Sequence, residues 1–237
     1  MQRPWSQKWR YPGLLGAVMV AMLSLPATLS AQTKADIGKI LLTCFECHGP
    51  GGVSALPSRP TIAGQNADYV TRQLHLFKRA ALEHARSGEV DADAQLQMRS
   101  DPIMEHMAEQ LDDTLILQVA DAVSKLSCDG AKPSTAAVPQ QTPPVPPLAA
   151  QRCTGCHGVD GIAQVPNVPN IAGQRRAYLR RQLLLIRETA WGAQPRENER
   201  WRSHPIMERE AARISIEEVD ALAHYYAGLD CHGTQTP

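Results

Sequence analysis

This chain carries no surplus of charge of either sign: 24 Lys and Arg stand against 24 Asp and Glu over 237 residues. A protein that neutralises a phosphate backbone presents a basic excess, so nucleic acid is not an expected partner. No segment alternates apolar and polar residues in the manner of a half-buried strand, which leaves helices as the source of regular structure. Nor is there an apolar run of about 20 residues, the length that a membrane-spanning helix requires. The longest candidate, Leu14 to Leu25, is shorter and is followed by Pro26.

That short run has the layout of an export signal. Arg3, Lys8 and Arg10 precede it, and small or polar residues (Ala27, Ser30, Ala31) follow it. A basic front, an apolar middle and a small-residue end predict a secretory signal over residues 1–31 with cleavage near Ala31. Leu29 occupies a position where a small residue is preferred, so an uncleaved anchor is the alternative. Removing the segment takes away three bases and no acid, leaving 21 basic against 24 acidic residues, a formal charge of −3. The expected location is a periplasm.

Two pentapeptides then stand out, Cys44-Phe45-Glu46-Cys47-His48 and Cys153-Thr154-Gly155-Cys156-His157. Cys-x-x-Cys-His is the attachment site of a c-type haem. Two thiols one helical turn apart bond the two vinyl groups of one porphyrin, and the histidine that follows becomes the proximal ligand of the iron. Two covalent haem c groups are therefore expected, on Cys44 and Cys47 and on Cys153 and Cys156, with His48 and His157 as metal ligands. Half a zinc site or a thioredoxin-like redox pair would also use Cys-x-x-Cys. Neither explains a histidine directly after both pairs.

The chain also repeats itself. A shift of 109 positions lays Cys44 on Cys153, Pro60-Thr61-Ile62-Ala63-Gly64-Gln65 on Pro169-Asn170-Ile171-Ala172-Gly173-Gln174, and Tyr69, Arg72, Gln73 and Leu74 on Tyr178, Arg181, Gln182 and Leu183. A shift of 103 lays Pro102-Ile103-Met104 on Pro205-Ile206-Met207, and Cys128 on Cys231. The fold is thus expected to be all-α, two copies of one small unit over residues 32–128 and 149–237. Residues 129–148, rich in proline, read as a semi-rigid spacer. Apolar periodicity predicts helices over 67–82, 112–126, 176–189 and 215–229, the last opened by the capping-box spacing of Ser215 and Glu218.

Met104 and Met207 are the distal-ligand candidates, because Pro-Ile-Met recurs in register and a loop there can fold over the distal face. Met98 and Met107 have no repeat partner, and neither do His75, His106 and His204; His84, His224 and His232 are likewise read as surface or structural. Histidine-methionine ligation leaves no open site on iron and stabilises the ferrous state, which favours electron transfer over catalysis. The carbonyls of Pro60 and Pro169 are candidate acceptors for the other ring nitrogen of each histidine. Gly64 and Gly173 suit a close backbone approach or a positive φ. Tyr69 and Tyr178, with Arg72 and Arg181, are candidates to cover a haem edge or bind propionates, or else are plain core. Cys128 and Cys231 end the last helix of each copy, and a pseudo-twofold arrangement would bring them together as a disulfide; two free thiols are the alternative.

On these residues the chain resembles the cytochrome c4 family of diheme cytochromes. The motifs are Cys-x-x-Cys-His-Gly, Pro-x-Ile-Ala-Gly-Gln and Tyr-x-x-x-Gln-Leu, each present twice, with Met104 and Met207 placed seven residues before Leu111 and Ile214. The resemblance implies two class I cytochrome c domains about a pseudo-twofold axis, with His48 and Met104 on one iron and His157 and Met207 on the other. It also implies periplasmic electron transfer between redox proteins, namely a donor dehydrogenase and a membrane-bound respiratory oxidase or reductase, with association at a membrane surface. The spacer is more proline-rich than the family's, and the cysteine pair is outside its usual pattern. Two other roles use the same architecture: a dedicated subunit of a sulfur-compound or alcohol dehydrogenase, and a diheme enzyme such as a peroxidase or thiosulfate dehydrogenase.

Overall fold

The computed structural model describes residues 27–85, 99–129, 145–193 and 200–232. Most of the export segment, most of the proline-rich spacer (130–144) and Met98 lie outside the described residues. In the first copy, helix α1 (Ala27–His48) ends on the first haem motif. It is followed by α2 (Ala67–Ala85), the two-residue strand β1 (Arg99–Ser100), α3 (Pro102–Glu109) and α4 (Asp113–Ser124). The second copy repeats the order with α5 (Thr154–His157), α6 (Arg176–Ala190), β2 (Trp201–Arg202), α7 (Pro205–Ala211) and α8 (Ile216–Ala227).

Each copy has its own core, and the two are built from equivalent positions. Leu74, Phe77, Ile116, Val119 and Val123 form the first cluster. Ile186, Val219, Leu222 and Tyr226 fill the corresponding places in the second. These residues lie three, four or seven apart, so each helix buries one stripe against its partner. Ser215 and Glu218 close the capping box of α8 as the spacing predicts.

Three features go beyond the periodicity. Met104 and Met207 sit in the first turns of α3 and α7 and not in a loop. Proline at the first helical position is pre-organised for a helix, and Asp101 and His204 cap the two N-termini with their side chains. Next, β1 and β2 pair antiparallel, Arg99 opposite Trp201's neighbour Arg202 and Ser100 opposite Trp201, so the two copies share a minimal sheet. Two residues per strand cannot carry a recognisable alternation. Finally, Cys128 and Cys231 are bonded, with an S–S distance of 2.08 Å.

Backbone conformation explains the glycine in each Pro-x-Ile-Ala-Gly-Gln block, and the disulfide adds a close contact at one of them. Gly64 and Gly173 have φ of +68° and +66°, a region in which a side chain is strained. A Cβ on Gly173 would lie 2.7 Å from the Cβ of Cys231, whereas at Gly64 the nearest atom, the carbonyl oxygen of Leu126, is 3.4 Å away. Gly173→Ala is therefore expected to lower stability by about 3 kcal/mol and Gly64→Ala by about 1 kcal/mol. Denaturant midpoints of the two variants check the difference; equal losses would contradict this account of the contact.

Candidate functional site

A cavity of about 300 Å³ lies between the copies and takes residues from both. Cys44, His48 and Met104 line it from one side, and Cys153, Cys156, His157 and Met207 from the other. His48 is brought in by the last turn of α1 and His157 by the single turn of α5. Both rings are buried, 8% and 6% exposed. Nδ1 of His48 lies 2.9 Å from the carbonyl oxygen of Pro60, and Nδ1 of His157 lies 2.9 Å from that of Pro169. A carbonyl only accepts, so Nδ1 carries the proton in each ring and Nε2 keeps its lone pair. Burial lowers the pKa of both histidines, despite the opposing pull of the proline carbonyls, which holds that lone pair available.

The thiols of Cys44 and Cys153 are half-buried, and burial raises their pKa. Among the described residues the only grouping of three potential metal ligands is Cys128, Cys231 and His232, and its two sulfurs are bonded to each other. Among the described residues, the zinc reading of the Cys-x-x-Cys pairs thus finds no second pair of ligands.

The rim of the cavity is cationic in a way the periodicity did not disclose. Arg99, 9% exposed, donates to Gln73 Oε1 at 2.6 Å within its own copy and to Tyr178 Oη at 2.6 Å in the other. Arg202 mirrors it, donating to Gln182 Oε1 and, at 3.0 Å, to Tyr69 Oη. Burial would raise the pKa of Tyr69, but Arg202 and Arg99 outweigh it and hold the hydroxyl below its ordinary value. Arg72 reaches the carbonyl of Asn167 at 3.0 Å and Arg181 that of Ser58 at 2.9 Å, again across the interface. The tyrosines and arginines singled out in the sequence therefore tie the copies together. Arg99 and Arg202 themselves were missed, although the 103-residue shift superimposes them.

This rim has an unmet requirement. The Nε atoms of Arg72 and Arg181 are buried with no hydrogen-bond partner. Burial, with neighbouring guanidiniums adding to it, lowers the pKa of both side chains. A buried unpaired donor costs about 1–3 kcal/mol, more when charged, so the site calls for anionic groups. A haem offers two propionates beside an apolar ring. Buried cations, a neutral imidazole and a thioether in each copy, and thiols at the wall match that demand.

The class that this fold defines is the tandem cytochrome c arrangement, all-α with the two copies related by a pseudo-twofold axis. Residues 147–230 match the cytochrome c family. The chain is similar to the reduced cytochrome c4 of Pseudomonas stutzeri, with a TM-score of 0.56 and 25% identity, covering 83% of this chain and 98% of that one. The cytochrome c4 of Acidithiobacillus ferrooxidans is similar in fold, with a TM-score of 0.52 and 24% identity over 78% of this chain and 98% of that one. Cytochrome c4 of Thiocapsa roseopersicina is 49% identical over 35 residues, 15% of this chain and 18% of that protein. The chain thus aligns with less than a fifth of that relative's length. A thiosulfate dehydrogenase from Marichromatium purpuratum shares the fold, with a TM-score of 0.54 and 23% identity, covering 82% of this chain but 38% of that one.

Proposed function

We propose that this chain is an exported diheme c-type cytochrome that carries electrons between redox proteins and transforms no substrate of its own. The observation that carries the reading is the shared cavity, into which each copy contributes a Cys-x-x-Cys-His element and a methionine in register. Cys44 and Cys47 bond one haem c, and Cys153 and Cys156 the other. His48 and Met104 ligate one iron; His157 and Met207 ligate the second. Bound haem supplies a one-electron couple in which iron alternates between the ferrous and ferric states.

The chain's own residues do the rest. His48 and His157 present Nε2 because Pro60 and Pro169 hold the opposite nitrogen as a donor. Met104 and Met207 bring a soft sulfur ligand that favours the ferrous state. Arg72, Arg99, Arg181 and Arg202 meet the propionates and concentrate positive charge where the copies join. Electrons are passed from a donor dehydrogenase to a membrane-bound oxidase or reductase in the periplasm, with association at the membrane surface. Among the described residues no helix is long and apolar enough to cross a membrane.

Exposure of the reduced holoprotein to carbon monoxide tests the carrier role. With a protein ligand on both faces of each iron the Soret band is expected to stay unchanged; ready uptake at both centres would contradict it. A second reading, a subunit beside a catalytic chain, draws on the thiosulfate dehydrogenase structure, in which the matched portion is part of a longer chain. Co-purification of a catalytic polypeptide would favour that reading.

A further inference from the structure

We propose that Gln65 and Gln174 are positioning residues that act crosswise, each setting the donor strength of the iron-binding histidine in the opposite copy. The inference rests on the ligand reading of His48 and His157 and goes beyond it. The carbonyl of Pro60 and the N–H of Thr61 are the two ends of one peptide unit. His48 Nδ1 donates to that carbonyl at 2.9 Å, and the Thr61 N–H donates to Gln174 Oε1 at 2.8 Å. In the other copy His157 Nδ1 donates to the Pro169 carbonyl at 2.9 Å, and the Asn170 N–H donates to Gln65 Oε1 at 2.9 Å.

The two glutamines are 8% and 7% exposed, and both the oxygen and the nitrogen of each amide are hydrogen-bonded. Gln174 Nε2 donates to the Thr61 carbonyl at 2.8 Å, and Gln65 Nε2 donates to the Asn170 carbonyl at 2.9 Å. Each Oε1 takes a further hydrogen bond from the next residue of its own chain, Arg175 N at 3.0 Å and Asn66 N at 2.9 Å. Exchanging oxygen and nitrogen in either amide would set an NH₂ group against two N–H donors, so the orientation is fixed by the network.

A hydrogen bond accepted from the N–H end of a peptide polarises it and makes its carbonyl a better acceptor. A better acceptor withdraws the Nδ1 proton further and makes Nε2 a stronger donor to a metal. A stronger imidazole donor favours the ferric state and lowers the reduction potential. Breaking the Gln174 link therefore raises the potential at the His48 centre, and breaking the Gln65 link raises it at the His157 centre. A substitution in one copy is read out in the other, and the Glu variant, which keeps the acceptor oxygen, separates loss of the bond from a change of side-chain packing.

Potentiometric titration of holoprotein Gln174→Met and Gln65→Met, with the two centres resolved by paramagnetic NMR, tests this directly. Methionine keeps the length of glutamine and lacks the amide. At a fixed potential the ferrous-to-ferric ratio is expected to rise roughly threefold at the cross-copy centre, about half of the 59 mV that a tenfold change represents for one electron. The same-copy centre stays near wild type, and the cross-copy histidine Nδ1–H resonance shifts with the potential. Gln174→Glu, which keeps an acceptor oxygen, does not raise the potential. Equal shifts at both centres, a shift confined to the same copy, or none would overturn the proposal. If Gln174→Met fails to accumulate, Gln174→Asn breaks the same bond and carries the same test. Failure of the underlying reading is separately visible in the wild type, as fewer than two covalent porphyrins or an iron not bound by His48 or His157.

Discussion

Met104→Ala is expected to abolish thioether ligation at one of two centres and leave the other untouched. The ferric holoprotein is expected to show a weak long-wavelength charge-transfer band from sulfur coordination, and half of it should disappear in the variant. Met207→Ala should remove the other half, and the double variant all of it. Each single variant opens one iron, so its reduced form should take up one equivalent of carbon monoxide where the wild type takes none. The effect is large because alanine has no donor atom to replace the lost thioether. The register of the repeat makes the two single variants equivalent: both methionines stand in the first turn of a short helix, two residues after the proline that opens it, and both line the shared cavity. If the band is intact in both single variants, the distal assignment is wrong, whatever the proximal histidines do.

The second large effect is expected from Cys128→Ser with Cys231→Ser. The bond joins residues 103 apart, and in the chain-entropy account closing a loop of that size stabilises by about 4–5 kcal/mol, less any native-state strain. A loss of that order is a substantial fraction of the stability of a domain of this size. Denaturant unfolding of the holoprotein should show it as a lower midpoint, with haem spectra unchanged before the transition. The same loss should appear when wild type is unfolded in the presence of a dithiol reductant. A midpoint that neither treatment moves would mean that interface hydrogen bonds alone hold the copies. Those bonds are numerous: Gln65, Gln174, Arg99 and Arg202 each cross between copies or anchor a side chain that does.

Much of this was legible in the residues. The duplication needed only spacing, and four of the five long helices followed from apolar periodicity with boundaries within a few residues; α1, at 22 residues the longest, was not among them. The proline carbonyls were readable because an iron-bound imidazole needs an acceptor and Pro60 and Pro169 recur at one distance from their histidines. What was not legible was the interface. Gln65 and Gln174 end a repeated hexapeptide, yet repetition cannot distinguish a residue facing its own core from one reaching across a symmetry axis. Arg99 and Arg202 escaped because each lies beside a stretch of unequal length in the two copies, where the register changes from 109 to 103. The short helices that carry Met104 and Met207 escaped for another reason. At eight and seven residues they are too brief for a period of 3.6 to declare itself, and only the cap and the proline mark them. The difference between Asp101 and His204 at equivalent caps shows that the copies have diverged at the distal side: Asp101 pairs with Arg200 at 2.6 Å, whereas His204 faces Arg72 at 3.0 Å.

The central claim is that each copy holds its own covalently attached haem. Intact mass of the denatured holoprotein, followed by peptide mapping, tests it most directly. The account predicts a mass increment of two haems, one on the peptide carrying Cys44 and Cys47 and one on that carrying Cys153 and Cys156. A single increment, or haem that dissociates on denaturation from either peptide, would contradict it.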